Sequence, residues 1–300
     1  MANLRDVRLR MKAIGQTLQV TKAMGLISTS KLRKGRRVLE QTEPFFNRVQ
    51  KTMSDLLYGA DTVQSRFFRH NDDGYTAIVA VTSDKGLAGG YNANVFRTVA
   101  SLCEQVKNPV LILIGAVGQR YFVNSPYLVL ENFSFASRLP TVDDAQEIAD
   151  YIVSQFDWGV FREVRIVYTH MYNALKLLPC EREVLPLDEE KMKVERVHAD
   201  PARGSDAGQS EVSDFAYLPS SKEVFDALAP LYIKGIVYGC LVESYASEQS
   251  ARMSAMNDST KNAVDMLSAQ QTHYNRVRQT GITQEITEIV SGAAAQTDGN

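Results

Sequence analysis

Hydrophobic residues recur at heptad spacing from the fourth residue of the chain and keep one register for more than fifty residues. A period of 3.5 residues held for this long predicts a coiled-coil helix over 1–58. At about 1.5 Å per residue this helix would span roughly 80 Å, so it needs a partner helix to cover its apolar stripe. Pro44 lies inside the helix and is expected to kink it locally. The two seam positions contain Leu4, Met11, Leu18, Gly25, Leu32, Leu39, Phe46 and Met53, and Val7, Ile14, Thr21, Ser28, Gly35, Thr42, Val49 and Leu56.

The far end of the chain supplies a candidate partner. Apolar residues at three- and four-residue spacing predict a second long helix over 221–295. Antiparallel pairing would bury both stripes, so we predict an antiparallel coiled coil of the N- and C-terminal helices. The spaced positions of the second helix are Val224, Leu228, Leu231, Val242, Gln249, Met253, Met256, Ala263, Leu267, Gln270, Tyr274 and Val277.

Between Tyr75 and Asp188 the pattern changes to apolar runs that alternate with helical periods. This alternation predicts a Rossmann-like α/β domain over 70–188 with a parallel sheet. The fold class is therefore α/β with added long α-helices. The expected strands are Tyr75–Thr82, Val110–Ile114, Leu128–Leu130, Val164–Tyr168 and Glu181–Leu187, and the expected helices are Asn92–Val106, Gly115–Asn124 and Asp143–Phe156, the last one capped by Thr141. The polar segment 189–220 is interpreted as a flexible surface loop or linker.

The composition is that of an ordinary soluble globular protein. The 300 residues are 44% hydrophobic and 23% charged, with a net charge of -2. No apolar run approaches the ~20 residues that a membrane span needs, so no membrane-spanning helix is expected. No signal peptide is recognised at the N-terminus. The three isolated cysteines suit a reducing compartment. The four histidines lack ligand spacing, so no metal site is predicted.

Positive charge is concentrated on the first helix. Asp6 is the only acidic residue before Glu40, and the basic residues are Arg5, Arg8, Arg10, Lys12, Lys22, Lys31, Arg33, Lys34, Arg36 and Arg37. Such a stripe could meet nucleic acid, an anionic membrane or acidic protein loops, or it could be a solvated face. A basic zipper that binds DNA is one alternative, although there the basic region lies outside the zipper, whereas here it shares the helix with the seam.

A glycine-rich segment over 82–92 follows the first predicted strand and precedes a helix. This context could place a phosphate group at a helix N-terminus, which makes a nucleotide-dependent α/β enzyme a second alternative. The segment matches neither the P-loop order nor the dinucleotide fingerprint, and Gly86, Gly89 and Gly90 are equally explained by a tight turn. Ser83 and Asp84 have no histidine placed to act as a base. We therefore predict no catalytic site and no bound cofactor in this chain.

Small residues cover several faces of the C-terminal helix between Glu243 and Met256. A coiled-coil core accounts for one of these faces only. Serine and alanine permit close helix contact, and methionine provides an adaptable surface. We interpret the segment as a region that contacts surroundings beyond the partner helix.

Four sequence motifs, in this order along the chain, resemble those of one family. They are Thr21-Lys-Ala-Met24 with Ser30-Lys-Leu-Arg-Lys34, the segment 82–92, Ala246–Met256 and Ile282–Ala295. End to end, the chain resembles the gamma subunit of F-type ATP synthases, with Ala88 where many members have cysteine. The cysteine pair of the chloroplast type is absent and no transit peptide is recognised, so a bacterial form is expected.

The resemblance implies a central rotor shaft. In that family the terminal helices turn inside a ring of three alpha and three beta subunits, and the α/β domain lies against the epsilon subunit and the membrane c-ring. The delta subunit belongs to the same complex, which holds one gamma chain. Catalysis belongs to the beta subunits. We therefore expect peripheral association with the cytoplasmic side of the inner (plasma) membrane, and no nucleic-acid partner.

The resemblance also implies residues that contact the alpha and beta subunits. They are Lys22, Met24, Arg33 and Lys34 on the first helix, Lys85 in the glycine-rich segment, and Arg252, Gln279 and Thr283 on the last helix. Gly25 stands where many members have a polar or charged residue.

Overall fold

The computed structural model describes residues 4–59, 63–135, 138–173, 176–192, 218 and 220–297, with side chains as far as residue 291. In chain order the elements are α1 (Leu4–Gly59), a 3-10 helix (Arg66–Phe68), β1 (Tyr75–Val81), α2 (Tyr91–Gln105), β2 (Pro109–Ile114), α3 (Ala116–Phe122), β3 (Leu128–Phe133), α4 (Val142–Asp157), β4 (Phe161–Met171), β5 (Leu177–Leu185) and α5 (Ser221–Thr297). The predicted α/β sheet with a long helix on each side in sequence is confirmed.

The five strands form one sheet in the order β3-β2-β1-β4-β5. The first four strands are parallel, and β5 pairs antiparallel with β4. β1 and β2 are buried along nearly their whole length, because helices cover both faces of the sheet. This burial explains why their continuous apolar runs predicted them closely.

The inner strand β4 and the edge strand β5 were predicted less well. β4 runs for 11 residues and β5 begins at Leu177, earlier than predicted. The missed start of β5 contains Pro179, and a proline within an apolar run argues against a strand at the level of sequence. The helices that lie between the strands were predicted to within two residues at either end. Thr141 is the N-cap of α4, as predicted, and it also forms a capping box with Asp144.

The chain divides into two compact units. Unit 1 consists of Met1–Ser28 and Arg252–Asn300, and unit 2 consists of Thr29–Ala251. Both long helices contribute residues to both units. The four segments 1–58, 70–188, 189–220 and 221–295 therefore stay a prediction about domains. Most of the predicted loop over 189–220 lies outside the described residues.

Unit 1 is an antiparallel pairing of the two long helices. The hydroxyl of Thr260 on α5 donates to the hydroxyl of Thr21 on α1 at 2.9 Å. Nearer the start of α1, Arg8 donates through Nη2 to the Tyr274 hydroxyl at 2.6 Å. A Cβ atom at Gly25 would lie 3.7 Å from the Met256 side chain, so the backbones approach closely there.

Unit 2 has two apolar cores, one on each face of the sheet. The larger core joins the sheet to α4 and to the unit 2 parts of α1 and α5, through buried residues such as Met53, Ile148 and Phe225. The smaller core joins the other face to α2 and α3. α1 is continuous through Pro44. The ring of nearby Phe46 packs against Gly235, where a Cβ atom would lie 2.2 Å from the ring.

One helix in the described part of the chain is long and apolar enough to cross a membrane by length and composition. It is α5, in which an 18-residue window reaches a mean hydropathy of 1.4. A window average tolerates charged residues, so this finding differs from an uninterrupted apolar run, which was not expected. The window is 56% buried within the protein, as in the core helix of a soluble protein, so it is weak evidence for a membrane span.

Gly115 is required by the geometry between β2 and α3. Its φ is +97°, and a Cβ there would lie 2.3 Å from the Thr82 carbonyl oxygen. We expect Gly115→Ala to lower the free energy of unfolding by about 2–4 kcal/mol, because the strained φ and the backbone overlap add. Urea denaturation of the full chain measures this change.

The matched control is Gly86→Ala in the neighbouring loop. A Cβ at Gly86 would meet nothing within 4 Å, so its effect should stay within about 0.5 kcal/mol. Equal stability of the two variants would contradict the assignment of Gly115.

Candidate functional site

The carboxyl edge of the sheet is where an open α/β fold would bind a ligand. In such folds ligands lie beyond the carboxyl ends of the strands, at the point where the strand order reverses. Here β1 is followed by β2 and β3 on one side, and the chain then returns to β4 on the other side of β1. The reversal lies between β1 and β4, and the 82–92 segment leaves β1 at this edge.

The polar groups of the 82–92 segment are bonded within the protein. The Ser83 N–H donates to Asn92 Oδ1 at 3.0 Å, and the Ser83 hydroxyl donates to the Lys85 carbonyl at 2.8 Å. Asp84 Oδ1 accepts from the N–H of Ala116, the first residue of α3, at 3.1 Å, and from the Ser134 hydroxyl at 2.9 Å. The chain's own carboxylate therefore occupies the position near a helix N-terminus that an anion would take.

Helix α5 covers the remaining crevice. The cavity at this edge has a volume of about 40 Å³ and is lined in part by Leu241, Ser244, Tyr245 and Glu248 of α5. Pockets for small molecules measure about 300–1,000 Å³, whereas a cavity of this size holds a few water molecules. The site that the sheet topology offers is thus too small for a nucleotide.

The opposite wall of the cavity includes Arg138, which is already paired. Its guanidinium donates to both carboxylate oxygens of Asp144 at 2.6 and 2.5 Å. Burial by itself would raise the pKa of Asp144, but the hydrogen bonds from Arg138 and Thr141 outweigh it and lower that pKa. Arg138 therefore supports the start of α4 and is committed to a partner inside the protein.

Three polar side chains of α5 bond to the end of β4. The Thr169 N–H donates to Ser244 Oγ at 3.1 Å, and the Ser247 hydroxyl donates to the Thr169 carbonyl at 2.8 Å. Glu243 Oε1 accepts from the Met171 N–H at 3.3 Å and also pairs with Nδ1 of His170. Sequence reasoning missed these partners, although the small residues of this segment had indicated contacts beyond the partner helix.

The described residues supply little catalytic chemistry. Burial raises the pKa of Cys103 to about 11 and that of Cys240 to about 12, so neither is a thiolate near neutral pH. Within the ranges that the structure describes, no group of three or more His, Cys, Asp or Glu side chains is arranged to hold a metal ion.

The predicted contact residues fall into both units. Lys22, Met24, Arg252, Gln279 and Thr283 lie in unit 1, and Arg33, Lys34 and Lys85 lie in unit 2. Most of them are exposed and Met24 is half-buried, whereas Arg252 is only 7% exposed. Gln279 and Thr283 are one helical turn apart, and the Thr283 hydroxyl donates to the Gln279 carbonyl at 2.9 Å.

Unit 1 exposes large apolar side chains on both helices. On α1, Leu26 is 74% exposed and its neighbour Ile27 is also exposed. On α5, Ile282, Ile286 and Ile289 follow one helix face, and Ile289 is 72% exposed. Grouped apolar side chains in water mark interaction surfaces in soluble proteins. These faces are the strongest candidate for a binding surface in unit 1.

Comparisons with known proteins agree with this geometry. The family model described as ATP synthase matches residues 3–296. The chain is 40% identical over 298 residues to the ATP synthase gamma chain of Acetivibrio thermocellus, with 98% of this chain and 99% of that protein covered. It is 42% identical over 301 residues to the ATP synthase gamma chain of Ruminiclostridium cellulolyticum, with 98% of each covered.

Solved structures give the same fold. The Euglena gracilis mitochondrial ATP synthase (OSCP/F1/c-ring, rotational state 3) contains a chain that matches with a TM-score of 0.66 at 16% identity, covering 99% of this chain and 95% of that chain. The fold similarity and the identity to the two gamma chains both extend over almost the whole sequence. The chain therefore belongs to the family of ATP synthase gamma chains.

Proposed function

We propose that this chain is the central rotor shaft of the F1 sector of an F-type ATP synthase. Its rotation would couple ion flow through the membrane c-ring to ATP synthesis or hydrolysis in the beta subunits. The observation that carries the proposal is the end-to-end identity of 40–42% to bacterial ATP synthase gamma chains, over 98% of the chain.

The structure supports a non-catalytic role for the chain within that complex. The crevice at the carboxyl edge of the sheet has a volume of only about 40 Å³, and Ser83 and Asp84 of the 82–92 segment bond to groups within the protein. We propose that nucleotide chemistry belongs to the beta subunits and that this chain contributes movement. No cofactor is assigned to it.

The proposed partners are the alpha, beta, epsilon and delta subunits and the c-ring, with one copy of this chain in each complex. The exposed apolar faces of unit 1 would then be covered by the surrounding alpha and beta subunits. The complex would place the chain on the cytoplasmic side of the inner (plasma) membrane as a peripheral component. Nucleic acid is not among the partners.

Rotation can drive the beta subunits only if the shaft interacts differently with each of their conformations. A ligand shifts a conformational equilibrium by its difference in affinity for the two states, and a rotating asymmetric shaft is such a ligand. We propose that Lys22, Met24, Arg252, Gln279 and Thr283 in unit 1 supply part of this difference. The basic residues Arg33, Lys34 and Lys85 in unit 2 would meet acidic loops of the beta subunits.

The direct test is assembly. Co-expression of this chain with alpha, beta and epsilon subunits of one bacterial ATP synthase should give a complex with ATPase activity, from which an affinity tag on this chain recovers all subunits. We expect the exposed apolar faces of unit 1 to favour this assembly over the free chain. A stable monomer that recovers none of the subunits would overturn the proposal.

The basic contacts can be tested by charge reversal. We expect the double variant Arg33→Glu/Lys34→Glu to lower the ATPase rate of the complex about three- to tenfold at low salt, since attraction to acidic loops becomes repulsion. The difference should shrink at high ionic strength, because salt screens exposed charges. Lys51→Glu, an exposed position on the same helix, is the control and should leave the rate unchanged.

The competing assignment as a nucleotide-dependent enzyme is tested by isothermal titration of the full chain. We expect no saturable heat with ATP or NAD at a dissociation constant tighter than about 1 mM, because the cavity is too small for either ligand. Micromolar affinity would favour the enzyme instead. A titration with DNA at low salt in the same buffer should likewise give no heat.

A further inference from the structure

Strand β4 extends beyond the end of its parallel neighbour. The pairing of β1 with β4 reaches Ala80 and Val167, whereas β4 continues to Met171. On its other side β4 remains paired with β5 as far as Met171 and Leu177. Backbone groups of β4 that face the β1 side after Val167 therefore need partners from elsewhere, because buried backbone groups are almost always hydrogen-bonded.

Helix α5 provides these partners through three side chains, Glu243, Ser244 and Ser247, which we name the polar cluster. Ser244 accepts from the N–H of Thr169, Ser247 donates to its carbonyl, and Glu243 accepts from the N–H of Met171. The polar cluster thus replaces a missing strand along the edge of β4.

The spacing of the polar cluster fixes the rotation of α5 about its own axis. Residues three and four positions apart lie on one helix face, so Ser247 shares a face with Glu243 and Ser244. Ser244 and Ser247 are 1% and 0% exposed, and together they hold both backbone groups of one residue, Thr169. A turn of the helix by one residue, about 100°, would break all three hydrogen bonds.

Apolar packing does not impose the same constraint. Within unit 2, α5 also packs on the sheet through Phe225, Ile233 and Val237, but the attraction between apolar groups is non-directional. Hydrogen bonds weaken steeply when their angle changes. The resistance of α5 to turning against the sheet should therefore come mainly from the polar cluster.

We propose that Glu243, Ser244 and Ser247 are positioning residues that transmit torque between the sheet of the α/β domain and helix α5. The inference rests on the proposed function as a rotor shaft and assigns torque transfer to one set of hydrogen bonds. Thr169 offers an internal comparison, because its own side-chain hydroxyl is buried without a hydrogen-bond partner. Replacing this hydroxyl, as in Thr169→Val, changes the side chain but keeps the backbone hydrogen bonds to the polar cluster.

The experiment compares Ser244→Ala/Ser247→Ala with Thr169→Val in the complete ATP synthase, reconstituted in vesicles. The measured quantity is the number of ions pumped per ATP hydrolysed against an opposing ion gradient. We expect the double variant to hydrolyse ATP within about twofold of the unchanged complex while its pumping ratio falls roughly threefold. Thr169→Val should keep both values, because all three backbone bonds persist.

Hydrogen exchange on the full chain gives a local readout. The amide of Thr169 should exchange roughly tenfold faster in the double variant, whereas its exchange rate in Thr169→Val should be unchanged. Thermal denaturation shows whether each variant is folded. If the double variant does not fold, the single variant Ser244→Ala replaces it, and we expect a smaller effect in the same direction.

The outcomes are separable. A normal pumping ratio in the double variant, despite fast exchange of the Thr169 amide, would overturn the inference. Unchanged exchange of that amide in the double variant would also overturn it, as would an equal fall of the pumping ratio in Thr169→Val. Failure of the unchanged chain to restore pumping to a complex that lacks its gamma subunit would instead overturn the proposed function.

Discussion

The packing of helix α5 across the carboxyl edge of the sheet is the contact on which the rest of unit 2 depends. An open α/β sheet presents a ligand crevice at this edge, between β1 and β4 in this strand order. Here Leu241, Ser244 and Tyr245 line what remains of the crevice. The same contact thus removes a binding site and joins the sheet to a helix that continues into unit 1.

The 82–92 segment is consistent with this use of the fold. A glycine-rich turn between a strand and a helix binds phosphate when its backbone N–H groups are free to point at the ligand. In this chain the Ser83 N–H is taken by Asn92, and the Tyr91 N–H at the start of α2 is taken by the Ala88 carbonyl. The Asp84 carboxylate of the same segment bonds to the start of α3, and its negative charge disfavours a further anion at this edge.

Most of the fold could be predicted because its signals are local. The buried strand β1 is a continuous apolar run, and the capping box of Thr141 with Asp144 lies within four residues. The bonds between Thr169 and the serines of α5 could not be predicted, since they join residues 75 and 78 positions apart and involve backbone atoms. The sequence therefore identified the segment Glu243–Met256 as unusual without revealing what it contacts.

The same difference between local and distant signals applies to the contact residues. Arg252, Gln279 and Thr283 were grouped because they resemble one family pattern, yet Arg252 is only 7% exposed while the other two are exposed. A periodic sequence pattern shows which residues share a helix face. The burial of each residue depends on which other parts of the chain pack against that face.

The polar seam of unit 1 has a physical use that stability alone would not require. Thr21 and Thr260 place a hydrogen-bonded pair of hydroxyls where leucine or isoleucine would bury more apolar surface. A polar pair in a helix seam lowers stability but favours one register, because a slip breaks the hydrogen bond between the two hydroxyls. The polar cluster on β4 does the same for rotation in unit 2. A shaft that transmits force needs both constraints, since apolar contacts alone would permit sliding and turning at little cost.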